Sequence, residues 1–85
     1  MVKALELMIE EKVQSEELLV VVIDYKCSNM MGNTIVTDYD FSKGIYIVGD
    51  NMTIAISNDQ ELTIEHDELK EEFIIKQGET IFYLS

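Results

Sequence analysis

The sequence predicts a mainly β, α+β domain: an N-terminal helix, then an antiparallel meander of about six short strands forming a small barrel or a curled sheet. Three observations predict it. Apolar residues recur at helical spacing over the first fourteen positions. From residue 18 onward, short runs rich in β-branched and aromatic residues are separated by turn residues. In several runs apolar and polar residues alternate, the pattern of a strand with one buried and one wet face.

The helix covers about residues 2–14. Val2, Leu5, Ile9 and Val13 form one stripe, with Met1 and Met8 beside it; Lys3, Glu6, Glu10 and Gln14 fall opposite. Leu7 lies off the stripe, and a strand over 4–9 is the alternative for this segment. The strand region covers 18–85, with runs at 18–27, 34–41, 44–49, 52–57, 61–66, 72–77 and 80–84. Met52, Ile54 and Ile56 alternate with Thr53, Ala55 and Ser57; Leu62, Ile64 and His66 alternate with Glu61, Thr63 and Glu65. The run "LLVVVI" (18–23) lacks alternation. It is far too short to span a membrane and suits a buried strand. The segment "SNMMGN" (28–33) reads as the connection between the first two long strands. There Met30 and Met31 either form a flexible apolar binding surface or fold back onto the core.

Eighty-five residues make one domain with a modest core. Seventeen acids face six bases, all lysine, for a net charge of −11. Without arginine there is no guanidinium fork for phosphate or guanine, and the charge repels both nucleic acid and anionic membrane. Cys27 is the only cysteine, so no internal disulfide forms; it reads as a small hydrophobe at a strand end, in a cytoplasmic protein. The start "MVKALELMIEEK" has glutamates where a secretory peptide carries its apolar region.

Two stretches invite a metal reading. In "TDYDFSKGIYIVGD" (37–50), Asp38, Asp40, Ser42 and Gly44 alternate like calcium-loop ligands. Counted from Asp38, however, the sixth position is Lys43 and the twelfth is Gly49, where a calcium loop needs glycine and glutamate. The segment fits a hairpin instead, with strand to Phe41, turn Ser42-Lys43-Gly44 and return from Ile45. In "EHDE" (65–68), successive side chains of a strand point to opposite faces and converge poorly on one ion. With one histidine and no second soft ligand, zinc is not expected. His66 reads as a partly buried strand-end residue before a solvated acidic turn. No Gly-x-Ser-x-Gly elbow or phosphate-cradling glycine loop occurs. Neither a cofactor nor catalysis is expected.

The acids are unevenly placed. Residues 59–85 carry eight of them against Lys70 and Lys76. Glu61, Glu65, Asp67, Glu68, Glu71 and Glu72 therefore stand, with Met30 and Met31, as candidate partner-binding residues. A solubilising face is the plainer explanation of such a run.

The end of the chain, "FIIKQGETIFYLS", has an apolar strand, a basic residue and glycine, then a second apolar strand. With the helix-then-meander order, this is similar to the second motif of Sm-like small barrels, over residues 73–84 only. Gln77 stands where that family has arginine. The resemblance implies a closed barrel; the family's RNA binding does not accord with a charge of −11.

Two classes of function follow. The first is a non-catalytic module that binds a basic host protein or nucleic-acid-handling protein. It would resemble phage or mobile-element inhibitors that offer carboxylates where phosphates sit. The second is a structural module forming a homodimer or larger assembly through an exposed strand or the methionine segment.

Overall fold

The computed structural model describes residues 2–85. Helix α1 (Val2–Ser15) buries Leu5 and Ile9 completely, the two central residues of the predicted stripe. Val2, at the helix start, is 46% exposed; Leu7, off the stripe, is half exposed; Met1 lies outside the described residues. The helix stops because Glu16 turns into the left-handed region at φ 55°, which lets the Glu17 amide donate back to the Lys12 carbonyl at 3.2 Å. That closing bond satisfies one of the carbonyls a helix end leaves unpaired.

Seven strands follow: β1 (Leu18–Tyr25), β2 (Ser28–Asp40), β3 (Gly44–Gly49), β4 (Thr53–Ser57), β5 (Thr63–Asp67), β6 (Glu72–Gln77) and β7 (Thr80–Leu84). Every pairing is antiparallel, in the order β4-β3-β2-β1-β7-β6-β5. Two meanders, β1–β4 and β5–β7, thus join where the last strand pairs with the first. The expected β2–β3 hairpin forms, with Gly44 at φ 120° where an L side chain is strained. A carboxylate serves that turn: Asp40 Oδ1 accepts from the Ser42 amide at 2.9 Å and hydroxyl at 2.7 Å.

Three expectations need correction. The sheet is open, with β4 and β5 as unpaired edges, so neither the small barrel nor a strongly curled sheet forms. The methionine segment is not a connection: residues 28–33 belong to β2, and the β1–β2 joint is only Lys26-Cys27, with Lys26 at φ 56°. Cys27 is accordingly exposed in a turn rather than packed as a small hydrophobe.

Openness does not mean flatness. The β4–β5 link, residues 58–62, reaches about 21 Å. Six strand spacings in a flat sheet would need about 29 Å. β2 carries a register shift between Val36 and Asp38, a feature that locally bends and twists a strand. Gln77 then pins the link, its Nε2 donating to the carbonyls of Ser57 at 2.6 Å and Gln60 at 3.2 Å.

The concave face and α1 share one core. Leu19 and Val21 of β1, Ile45 and Ile47 of β3, Ile54 and Ile56 of β4, Phe73 and Ile75 of β6, and Leu84 of β7 are all buried there with Leu5 and Ile9. Each such side chain is worth about 1.5–3 kcal/mol of transfer free energy. Among the described residues no helix is long and apolar enough to cross a membrane.

Candidate protein-binding site

Strand alternation fixes what the other face of the sheet carries. Since Val21, Leu84, Phe73 and Ile75 point into the core, Val20, Val22, Tyr83 and Ile74 point away from it. The register lines them up: Met31 pairs with Val22, Val22 with Tyr83, Tyr83 with Ile74, and Ile74 with Glu65. One row across five strands thus runs from a methionine to a glutamate on the outer face. Met31 is 80% exposed, Leu18 50% and Val20 40%; Val22, Tyr83 and Ile74 are partly exposed. Among the described residues no helix covers this face.

Met30 belongs to the other face. It pairs with Ile23 and is 69% exposed, lying toward the β1–β2 turn. The two methionines are therefore exposed but diverge, as neighbours on a strand must.

The structure divides the six candidate acids. Glu61 precedes β5, while Glu68 and Glu71 sit in the turn after it, at the opposite end of that strand. Glu65 is ion-paired with Lys76, Oε2 to Nζ at 3.2 Å. Asp67 is engaged by the turn: its Oδ1 accepts from the amides of Leu69 at 3.1 Å and Lys70 at 3.3 Å. Glu72 opens β6 opposite Asp67, on the outer face. Glu68, Glu71 and Glu72 thus stand within five residues of one another at the β5–β6 turn, beside Leu69, which is 98% exposed, with Glu71 toward α1 and Glu72 on the outer face. Glu71 holds φ 50°, a left-handed conformation that shapes this turn.

His66 is exposed rather than partly buried, and its ring lies flat on Phe73, centroids 4.3 Å apart and planes 11° from parallel. It borders an open groove of about 600 Å³ between α1 and the β5–β6 hairpin, with Leu7, Met8 and Lys70 also in the lining. Cys27, the most nucleophilic side-chain type available, sits in the β1–β2 turn, across the sheet and at the far end of β1 from the row that holds His66. The fold does not assemble a cysteine–histidine pair. Among the described residues no three acidic, histidine or cysteine side chains gather as a metal-binding group.

Residue-by-residue reading missed Val20, Val22, Ile74 and Tyr83 as surface residues. The signal was present in "LLVVVI": an antiparallel strand wet on one face alternates, and this one does not.

No family model, no curated protein and no solved structure matches this chain.

Proposed function

We propose that this chain is a non-catalytic module that binds a basic protein, in the manner of small phage or mobile-element inhibitors that present carboxylates in place of nucleic-acid phosphates. The observation that carries this reading is the β5–β6 turn. Glu68, Glu71 and Glu72 fall within five residues there, beside a fully exposed leucine, with Lys70 the one base among them. A local excess of like charge carries some self-repulsion, and a cationic partner would remove that cost on binding. The net charge of −11 would speed the encounter over distances up to about a Debye length of 8 Å and beyond at low salt. A direct nucleic-acid ligand and an anionic membrane are disfavoured by the same charge. The exposed single thiol of Cys27 accords with a reducing compartment such as the cytoplasm.

A structural module assembling through its apolar outer face is the second reading, favoured by the exposed Met31 row. It must bring together two copies of charge −11, which the first reading avoids.

The test is capture from a native lysate on immobilised chain, at low and high salt, with the wild type and the E68K/E71K variant side by side. Basic proteins should be retained by the wild type at low salt and released by high salt or by the double substitution. Equal retention by both proteins would leave the acids as a solubilising face.

A further inference from the structure

We infer that the outer face of β2-β1-β7-β6, centred on Val22, Tyr83 and Ile74, is a docking surface for a protein segment that alternates apolar side chains with lysine or arginine. This rests on the reading of the chain as a binder of basic proteins and names the surface that holds the partner.

The apolar patch crosses four adjacent strands and is continuous. Met31, Val22, Tyr83 and Ile74 are directly paired across the sheet, and Val20 lies on the same face of β1. Side chains directly opposite on one face stand about 4.5–5.5 Å apart, so such a row presents unbroken hydrocarbon. A soluble antiparallel sheet ordinarily makes its uncovered face polar. A patch of this kind with a polar rim marks an interaction surface.

Charge selects the occupant. The register puts Asp24, Glu65, Asp67 and Glu72 on this same face, around the patch. The one cation placed among them by the register is Lys76, already paired with Glu65. An apolar centre inside an acidic rim is complementary to a segment whose apolar residues are flanked by cations. A second copy would bring the same acids against these, and a lipid surface or nucleic acid would bring phosphates. The turn acids Glu68 and Glu71 belong to the adjoining hairpin, so long-range capture and apolar seating act at neighbouring places on one protein.

The probes are two short peptides of equal length and charge, one alternating leucine with lysine and one alternating alanine with lysine. Each is titrated into the wild type and into the V22T/I74T/Y83T variant by calorimetry at near-physiological salt. Threonine favours strands, so these positions keep their backbone preference. The leucine peptide should bind the wild type roughly tenfold or more tightly than the alanine peptide, and the variant should lose that difference. If both peptides bind equally well to both proteins, the surface assignment falls while the reading of a basic-protein binder stands. Should neither peptide bind the wild type, both fall. A wild-type dimer in sedimentation that the variant converts to monomer would show a second copy as the occupant and overturn the inference. Amide shifts in the wild type decide the matter if the variant does not fold. Leucine-peptide shifts at Val20, Val22 and Tyr83 support the surface, and shifts confined to the 68–71 turn refute it.

Discussion

Thr34 fills the space that Gly49 leaves empty. A β-carbon at Gly49 would fall on the Thr34 hydroxyl oxygen, with Cγ2 at 2.7 Å and Cβ at 2.8 Å. Thr34 is 1% exposed and its Oγ1 donates to Asp50 Oδ1 at 3.0 Å, an atom that also accepts from the Ile35 amide at 3.2 Å. The glycine is thus required for close approach, not for a turn angle. Gly49→Ala should destabilise the domain by about 1–3 kcal/mol through overpacking, read as a lower urea midpoint at unchanged slope. Adding Thr34→Ala should remove the overlaps with the hydroxyl and methyl and leave only the 2.8 Å approach of the Thr34 β-carbon, so the double variant loses less than the sum of the two single losses. Simple additivity would show that the two side chains do not compete for one space.

Gln77 is the tie between the sheet and the β4–β5 link. Gln77→Leu removes two hydrogen bonds to the Ser57 and Gln60 carbonyls while keeping most of the side-chain volume. The expected loss is about 1–2 kcal/mol, since a net hydrogen bond contributes about 0.5–1.5 kcal/mol. Hydrogen exchange should quicken first in β4 and β5, the two edges joined by this link. Unchanged exchange in both edges would contradict the pinning role.

The β2–β3 turn carries a pH signature. Hydrogen bonds from the Ser42 hydroxyl and then the Ser42 amide hold the Asp40 carboxyl below its ordinary range, against a smaller opposing desolvation, and Lys43 adds to the lowering. A depressed folded value means that this stabilisation is present above the unfolded carboxylate range and is lost as pH falls through the folded value. Ser42→Ala should raise the Asp40 titration midpoint followed by carboxyl carbon chemical shifts. A midpoint that stays put would reject the hydroxyl as the main cause.

At the alkaline end the sign reverses. Tyr39 packs edge-on against Phe41, with centroids 5.9 Å apart. Desolvation, then the charges of Glu10, Glu6 and Asp38, pushes its phenol up. Stability from this group is full below the ordinary tyrosine value and declines as pH rises through the folded one. Glu10→Gln should bring the Tyr39 phenolate transition to lower pH in ring-resolved NMR titration.

Added salt should stabilise the wild type, because screening relieves the self-repulsion of a −11 chain. The E68K/E71K variant should gain slightly in intrinsic stability, by less than about 1 kcal/mol for exposed groups, and should respond less to salt. Thermal melts across a salt series report both effects. A salt-independent melting temperature would mean that the turn acids do not strain the fold.

The strands were legible because their signals are local. The runs at 44–49, 72–77 and 80–84 form with those bounds, and the Ser42-Lys43-Gly44 turn is where glycine demands it. Residues 28–33 misled because Ser, Asn and Gly are turn-prone by propensity. Here pairing with β1 overrides it, Met31 against Val22 and Met30 against Ile23. Openness of the sheet was not legible, since the β1–β7 pairing joins opposite ends of the chain and leaves no local trace. For the acids, composition marked the region, whereas the structure alone separates Glu65 and Asp67, engaged by Lys76 and by turn amides, from Glu68, Glu71 and Glu72. The outer patch was visible in the lack of alternation over 18–23, but a fully buried strand writes the same pattern.

The junction of the two meanders also sets an order of events during synthesis. β7 alone joins β1 to β6, and Val21 finds Leu84 across almost the whole chain. The first four strands can pair as they leave the ribosome, but β1 keeps one open backbone edge until residues 80–84 have emerged. In that interval "LLVVVI" offers both an unpaired ladder and an apolar flank, which is the template on which nascent chains cross-pair. Five glutamates have already emerged within residues 1–17 by then. Their like charge opposes the approach of a second such chain while that edge is open.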